Sequence, residues 1–261
     1  MSTSDVVFKT TGSLAEIIFN RPAARNAMTW PMYDALIEHC DAVDADENIR
    51  VLILRGAGGK AFVAGTDISQ FKAFKTDEDG LEYERRIDRV VTRLEQLSVP
   101  TIAAIHGVAT GGGCALAAAC DLRICTTDSR FGIPIARTLG NCLSMANVTR
   151  LLNLIGPVTL KEMVFTGRLF SAAEAAGAGL VNKVVDPNLF ESTVNEYAET
   201  VAANAPLTIR STKEMIRRIQ DDRKTATDAG SDLIVECYTS KDFHEGVASF
   251  LEKRSPTWVG R

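Results

Sequence analysis

The stretch Ile105 to Asp121, reading IHGVATGGGCALAAACD, limits what this chain can fold into more than any other. An apolar run, Thr101 to Ile105, leads into it and stops at Gly107. Gly111, Gly112 and Gly113 then give way to the small, apolar segment Cys114 to Cys120. That order predicts a strand, a tight loop and a buried helix. Glycine lets a backbone approach a ligand closely, and the first N–H groups of a helix have no partner inside it, so the junction offers amide donors to an oxyanion or a phosphate. The pattern G-x-x-x-x-G-K-[ST] is absent and no G-x-G-x-x-G opens a helix after the first strand, which excludes the common nucleotide loops. A glycine triplet alone marks close packing as readily as chemistry. A second bend of the same type, Ala64-Gly65-Thr66-Asp67, changes the balance, because two bends that each donate one amide can converge on one oxygen.

Composition narrows the partners. With 261 residues the chain is long enough for a sizeable core. A net charge of -4 argues against a general nucleic-acid binder, and no apolar stretch reaches membrane-spanning length. Met1 to Asp5 is polar, lacks a basic region and runs straight into Val6-Val7-Phe8, so no secretory signal is expected. The six cysteines, Cys40, Cys114, Cys120, Cys125, Cys142 and Cys237, form no C-x-x-C pair and sit mostly in apolar sequence. They read as reduced, buried thiols of a cytoplasmic protein. The three histidines, His39, His106 and His244, have no metal-ligand spacing, so no metal is expected.

Along the chain, Asp5 to Thr10 and Leu14 to Phe19 read as a hairpin around Thr11-Gly12-Ser13. A polar loop from Asn20 to Ala27 precedes a helix from about Trp30 to Ala45. Val51 to Leu54 is a continuous apolar run, as in strands buried on both faces. Thr76 to Leu97 is an amphipathic helix rich in Glu and Arg. Leu122 to Thr126 reads as a strand, Phe131 to Pro134 as a turn or short strand, and Ile135 to Leu152 as a mixed segment. Helical patterns follow over Val158 to Phe165, Ser171 to Ala176 with Ser171 as N-cap and Glu174 three residues on, Leu189 to Asn204, and Pro206 to Gln220. Thr225 to Lys253 splits at Thr239-Ser-Lys into two more helices. Strands alternating with helices, then helices alone, predict an α/β core over 1–200 and a helical region over 201–261 suited to a subunit interface.

Several ordered motifs carry a resemblance. Asn20-Arg21-Pro22 with Asn26-Ala27, Phe62-Val-Ala-Gly-Thr-Asp-Ile68, His106-Gly107 through Cys114, Ala119-Cys-Asp121, Phe131-Gly132 with Pro134, Leu169 to Ala175, Gly179 to Asn182, and Glu245-Gly246 through Arg254 together resemble the enoyl-CoA hydratase/isomerase (crotonase) superfamily from about Phe8 to Arg254. The resemblance implies a superhelix of ββα units with a C-terminal helical trimerisation region, assembled as a homotrimer or a dimer of trimers. It implies an acyl-CoA thioester as ligand and no cofactor beyond its CoA moiety. By motif position, the amides of Thr66 and Gly112 would form an oxyanion hole on the thioester carbonyl. Ala23, Ala24, Arg25, Ala64, Asp67 and Ile68 would line the CoA site, and Phe250 and Lys253 would close over the adenine end.

The chain departs from the pattern where hydratases carry two catalytic glutamates, two residues after the triple glycine and directly after the F-G-x-P proline. Here those positions hold Ala115 and Ile135. Neither side chain moves a proton, so a crotonase reaction other than ordinary enoyl-CoA hydration is expected. The alternative is a non-catalytic acyl-CoA-binding member. Arg137, Asn141 and Ser144 are the polar candidates near the pocket, with Arg137 able to bind a carboxylate rather than act as a base. Asp67 and His106 lie close to the two bends. Asp67 is expected to cap a helix and His106 to have no catalytic part.

Overall fold

A computed structural model describes residues 4–221 and 230–260. Met1 to Thr3, and the start of the helix expected from Thr225, lie outside the described residues. The strands divide between two sheets. The larger runs in the order β1 (Val6–Thr11), β2 (Leu14–Phe19), β3 (Val51–Gly56), β5 (Thr101–Ile105), β7 (Leu122–Thr126) and β10 (Lys183–Val185). The smaller runs β4 (Ala61–Val63), β6 (Val108–Thr110), β8 (Arg130–Gly132) and β9 (Phe170–Ser171). The β1–β2 hairpin is antiparallel; from β2 onward the larger sheet is parallel.

The chain visits both sheets in turn. β3 and β4, β5 and β6, and β7 and β8 each place one strand in the larger sheet and one in the smaller. A helix follows each pair: α2 (Asp77–Glu95), α3 (Gly112–Ala119) and α4 (Ile135–Thr138). This is the expected superhelix of ββα units. The expected loop between Ile105 and Gly111 therefore contains a strand, β6, paired with β4 and β8.

The apolar run of β3 is buried on both faces for a structural reason. Leu52 and Leu54, with Ala103 and Ile105 of β5, join the main core, which also receives α1 (Trp30–Ala45) and α3. Val51 and Ile53, with Ile102, Ala104 and Ile124, face the other way and pack on Phe190, Val194 and Ala198 of α7 (Phe190–Ala203). Period-two side chains of one continuous apolar strand thus serve two cores. α3 is buried along its length from Gly113 to Ala119, as an all-apolar helix must be.

The segment read as mixed holds a short helix, six irregular residues from Leu139 to Ser144, and the start of a long helix. α4 is followed by α5 (Met145–Thr166), whose regular backbone is broken at Gly156, at φ 69°, just before Pro157. α6 (Ala172–Gly177) starts with the expected capping box between Ser171 and Glu174. α8 (Pro206–Asp221), α9 (Ser231–Tyr238) and α10 (Lys241–Glu252) complete the chain. α9 and α10 return to the front of the molecule, where Tyr238 and Phe243 pack with Phe71 beside α2. No helix among the described residues is long and apolar enough to cross a membrane.

Candidate active site

Two motifs of the N-terminal half act as scaffolding for one turn. Asn26 is fully buried at φ 57°. Its Oδ1 accepts from the Arg21 N–H, and its Nδ2 donates to the carbonyls of Ala57 and Ala61. Arg21 in turn donates to the Ala27 carbonyl and pairs with Asp67 at 3.1 Å. Met28, held between these anchors, bridges the Thr66 turn: its N–H donates to Gly65 O, and Asp67 N–H donates to Met28 O. A parallel bridge of this kind uses the peptide groups flanking Thr66 and leaves the Thr66 N–H on the opposite side of the strand. Asp67 caps the short 3-10 segment Ile68–Ala73 by accepting from Ser69 N–H, as expected.

The second turn comes from the glycine triplet. Cys114 N–H and Ala115 N–H both donate to Gly111 O, which starts α3 and leaves the Gly112 N–H as one of the helix's unpaired first donors. The two turns abut. A methyl group on Gly65 would lie 4.0 Å from Gly112 N, and one on Gly112 would lie 3.9 Å from Thr66 N. Gly65, at φ 108°, adopts a conformation that side-chain-bearing residues rarely reach. Gly113 serves packing instead: a methyl there would sit 2.0 Å from the Val63 carbonyl oxygen, so only glycine lets α3 lie this close to β4.

Both turns open into a cavity of about 450 Å³, within the range typical of small-molecule sites. Of the residues expected at the CoA site, Ala24, Arg25, Ala64, Asp67, Ile68 and Phe250 line it. Ala23 lies outside the lining, and so does Lys253, which is exposed at the C-cap of α10. Ala115 and Ile135, the positions where the resemblance expects glutamates, are buried and form apolar wall.

The three polar candidates separate. Arg137 lines the cavity from an exposed position, and no hydrogen bond or ion pair among the described residues engages its guanidinium. Asn141 also lines it but donates Nδ2 to the Tyr238 hydroxyl at 3.0 Å. Ser144 is not in the lining. It is a buried N-cap of α5, accepting from Asn147 N–H and donating to Asp88 at 2.7 Å, the capping role that its place before a helix allowed. His106 likewise lies away from the cavity, against Phe190.

α2 brings two groups that sequence reasoning missed. Tyr83 and Glu84 both line the cavity. Thr66 Oγ1 stands between two phenols, 2.8 Å from Tyr33 Oη and 3.0 Å from Tyr83 Oη. Three hydroxyls joined by two bonds have one hydrogen to spare. Tyr33 is 1% exposed and outside the lining, so the order that strands no buried hydrogen is Tyr33 to Thr66 to Tyr83, leaving the Tyr83 O–H for the cavity. Glu84 is 4% exposed; its Oε1 accepts from Tyr238 Oη at 2.6 Å and its Oε2 from Ser144 N–H at 3.1 Å. Burial, reinforced by the neighbouring negative charge of Asp88, outweighs these two donors and pushes its carboxyl up to about 8. Glu84 is therefore mostly a neutral acid at pH 7. Its position was legible in one respect: Gly80, Glu84, Ile87, Val91 and Leu94 share the buried stripe of α2 at helical spacing.

The family model for enoyl-CoA hydratase/isomerase matches residues 9–261. The chain is 36% identical to a short-chain-enoyl-CoA hydratase of Clostridium acetobutylicum, covering 97% of each chain. It is 34% identical to a crotonyl-CoA hydratase of Syntrophomonas wolfei over the whole of both. Among solved structures it resembles a methylmalonyl-CoA decarboxylase in complex with 2-nitronate-propionyl-CoA, with a TM-score of 0.91, 27% identity and complete coverage of both chains. The chain belongs to the enoyl-CoA hydratase/isomerase family.

Proposed function

We propose that this protein is an acyl-CoA enzyme that holds a thioester carbonyl between the N–H groups of Thr66 and Gly112 and stabilises the enolate formed from it. The observation that carries this reading is the abutment of two turns, each with an unused N–H, at the wall of one cavity. Each preorganised donor in a dry site stabilises the developing oxyanion by roughly 3 kcal/mol. The CoA moiety is the only cofactor-like group in this reading, and its phosphates suit Arg25 or Lys253. All six thiols are free, which fits a cytoplasmic setting. A homotrimer, or a pair of trimers, would cover exposed apolar side chains such as Leu207, Met215, Ile216 and Ile219 on α8.

The reaction that fits these residues best is decarboxylation of a 2-carboxyacyl-CoA. With Ala115 and Ile135 as wall, the two groups that a hydratase uses to move protons are missing. Loss of carbon dioxide needs no base: the electron pair of the breaking C–C bond passes to the α-carbon and the thioester oxygen, giving the enolate directly. Arg137 lines the cavity with no ion pair among the described residues and is suited to orient the substrate carboxylate. The fold neighbour named for methylmalonyl-CoA supports this choice of substrate class. Hydration through other groups is the second reading, favoured by the hydratase names of the curated relatives.

The test is a panel of acyl-CoA esters, including malonyl-, methylmalonyl- and crotonyl-CoA, with products read by mass spectrometry. Conversion of a carboxylated ester to its decarboxylated thioester, with crotonyl-CoA hydration far below that of a two-glutamate relative, is expected. Hydration at the relative's rate, with the carboxylated esters untouched, overturns decarboxylation in favour of the second reading. Calorimetry showing no binding of any CoA ester overturns the reading as a whole.

A further inference from the structure

Replacing Glu at two positions by Ala115 and Ile135 leaves an enolate site with no evident way to move a proton to or from the α-carbon. α2 also lines this cavity, through Tyr83, Glu84 and Ile87, and carries one carboxyl group into its wall, Glu84. Its setting is built. Tyr238 of α9 donates to Oε1 and is itself held by Asn141, while Ser144 N–H donates to Oε2 and fixes the carboxyl plane. Both oxygens retain a lone pair for a hydrogen, and the residue lines the same cavity as Thr66 and Gly112.

We propose that Glu84 is the catalytic acid–base of this site, exchanging a proton with the α-carbon of the bound thioester; this inference rests on the acyl-CoA reading above. In the forward sense the enolate's C=C electron pair takes the hydrogen from the Glu84 carboxyl, the C–H bond forms, the O–H bond breaks, and the thioester carbonyl is restored. Glu84 is left as carboxylate and regains a proton from water. In the reverse sense the carboxylate removes an α-hydrogen and the enolate returns. The carboxyl's elevated pKa, set first by burial and then by Asp88, places both forms within reach of neutral pH. The titratable groups around it are Asp88 and Tyr83 on α2, Tyr33 on α1, Tyr238 on α9 and Cys142 before α5. The three phenols and the Cys142 thiol are all held above their ordinary values, so they stay neutral where Glu84 changes charge.

The experiment follows α-hydrogen exchange of propionyl-CoA in deuterated water by mass spectrometry, with binding measured in parallel by calorimetry. The wild type should exchange, with a rate that rises through pH of about 8 as the carboxylate form accumulates. Glu84→Gln preserves shape and the neutral state, so it should bind propionyl-CoA within about threefold of wild type while losing on the order of 10²-fold or more of the exchange rate and the pH inflection. Asp88→Asn, outside the cavity lining, should keep exchange and move the inflection to lower pH, because a like charge is removed. A wild-type protein that binds and exchanges, beside a Glu84→Gln variant with wild-type rate and inflection, overturns the assignment of Glu84 and leaves the acyl-CoA reading standing. A wild type that neither binds nor exchanges overturns the acyl-CoA reading itself, and the role of Glu84 falls with it.

Discussion

Gly112→Val is the perturbation that acts most directly on the junction of the two turns. A Cβ at this position would lie 3.0 Å from Tyr33 Oη, 3.6 Å from Thr66 Oγ1 and 3.9 Å from Thr66 N. The backbone conformation at Gly112 is one that any residue adopts in a first helical turn, so alanine would cost little beyond a shift of a few tenths of an ångström at Tyr33. Valine adds two carbons about 1.5 Å further out. Carried on a Cβ 3.9 Å from Thr66 N, they would crowd the approach of a thioester oxygen to the two amides. Losing even one such donor costs about 10²–10³ in rate, or roughly 3–4 kcal/mol of transition-state stabilisation. Overpacking costs about 1–3 kcal/mol of folding stability. At roughly 2–4 °C per kcal/mol for a chain near this size, Tm falls by about 2–12 °C and the protein still folds. Propionyl-CoA exchange in deuterated water should therefore drop at least 10²-fold. Gly111→Ala is the control. Its Cβ meets nothing closer than Gly65 Cα at 3.8 Å, and its penalty is the strain of φ 53° with ψ -122°, a conformation that side-chain-bearing residues rarely adopt, about 1–3 kcal/mol. Binding of propionyl-CoA should survive in Gly111→Ala and weaken in Gly112→Val. Wild-type exchange by Gly112→Val would refute the reasoning, since no thioester oxygen can then lie between the two amides.

Other outcomes follow from the same geometry. Tyr83→Phe removes the acceptor of the Thr66 hydroxyl and the hydrogen left for the cavity; a loss of about 1–3 kcal/mol in chemical denaturation is expected. Tyr33→Phe leaves Thr66 bonded to Tyr83 and should cost less. Arg137→Met should weaken binding of a 2-carboxyacyl-CoA by at least tenfold while leaving propionyl-CoA unchanged, as read by calorimetry; equal effects on both ligands would remove the carboxylate role. The folded-state pKa of Glu84 is raised above the unfolded value of about 4.3. Its stability penalty therefore grows as pH rises through the interval up to about 8 and is constant above it. Glu84→Gln should flatten that part of the pH–stability curve, as measured by urea unfolding between pH 5 and 9.

Much of this architecture was legible because local chemistry and global fold agree. Val51 to Leu54 and Leu122 to Thr126 read as strands from apolar content alone, and Ser171 with Glu174 marked a helix start that the structure keeps. Of the smaller sheet only β8 was partly legible, as the turn or short strand at Phe131 to Pro134, because β4, β6 and β8 have three residues each and β9 two, too few to show a period of two. Ile135 to Leu152 hid its helices because polar residues that cap and tie, such as Ser144 and Asn147, interrupt the apolar pattern. The two bends were identifiable from glycines at fixed places, and the loss of both usual glutamates was plain from Ala115 and Ile135. Glu84 was masked by the surrounding Glu and Arg of a solvated helix, although its place on the stripe with Ile87 and Val91 separates it from them. Tyr238, which holds it, is 154 residues away in sequence, and only the return of α9 to α2 brings the two together.

The central claim concerns what happens to one carbonyl bond, and isotope-edited infrared spectroscopy of bound propionyl-CoA labelled with carbon-13 at the thioester carbonyl measures it directly. Two N–H donors on that oxygen should shift its stretching band to lower frequency in the wild type, and Gly112→Val should return the band toward its position in water. A bound thioester whose carbonyl band is the same in the wild type and in Gly112→Val would contradict the account.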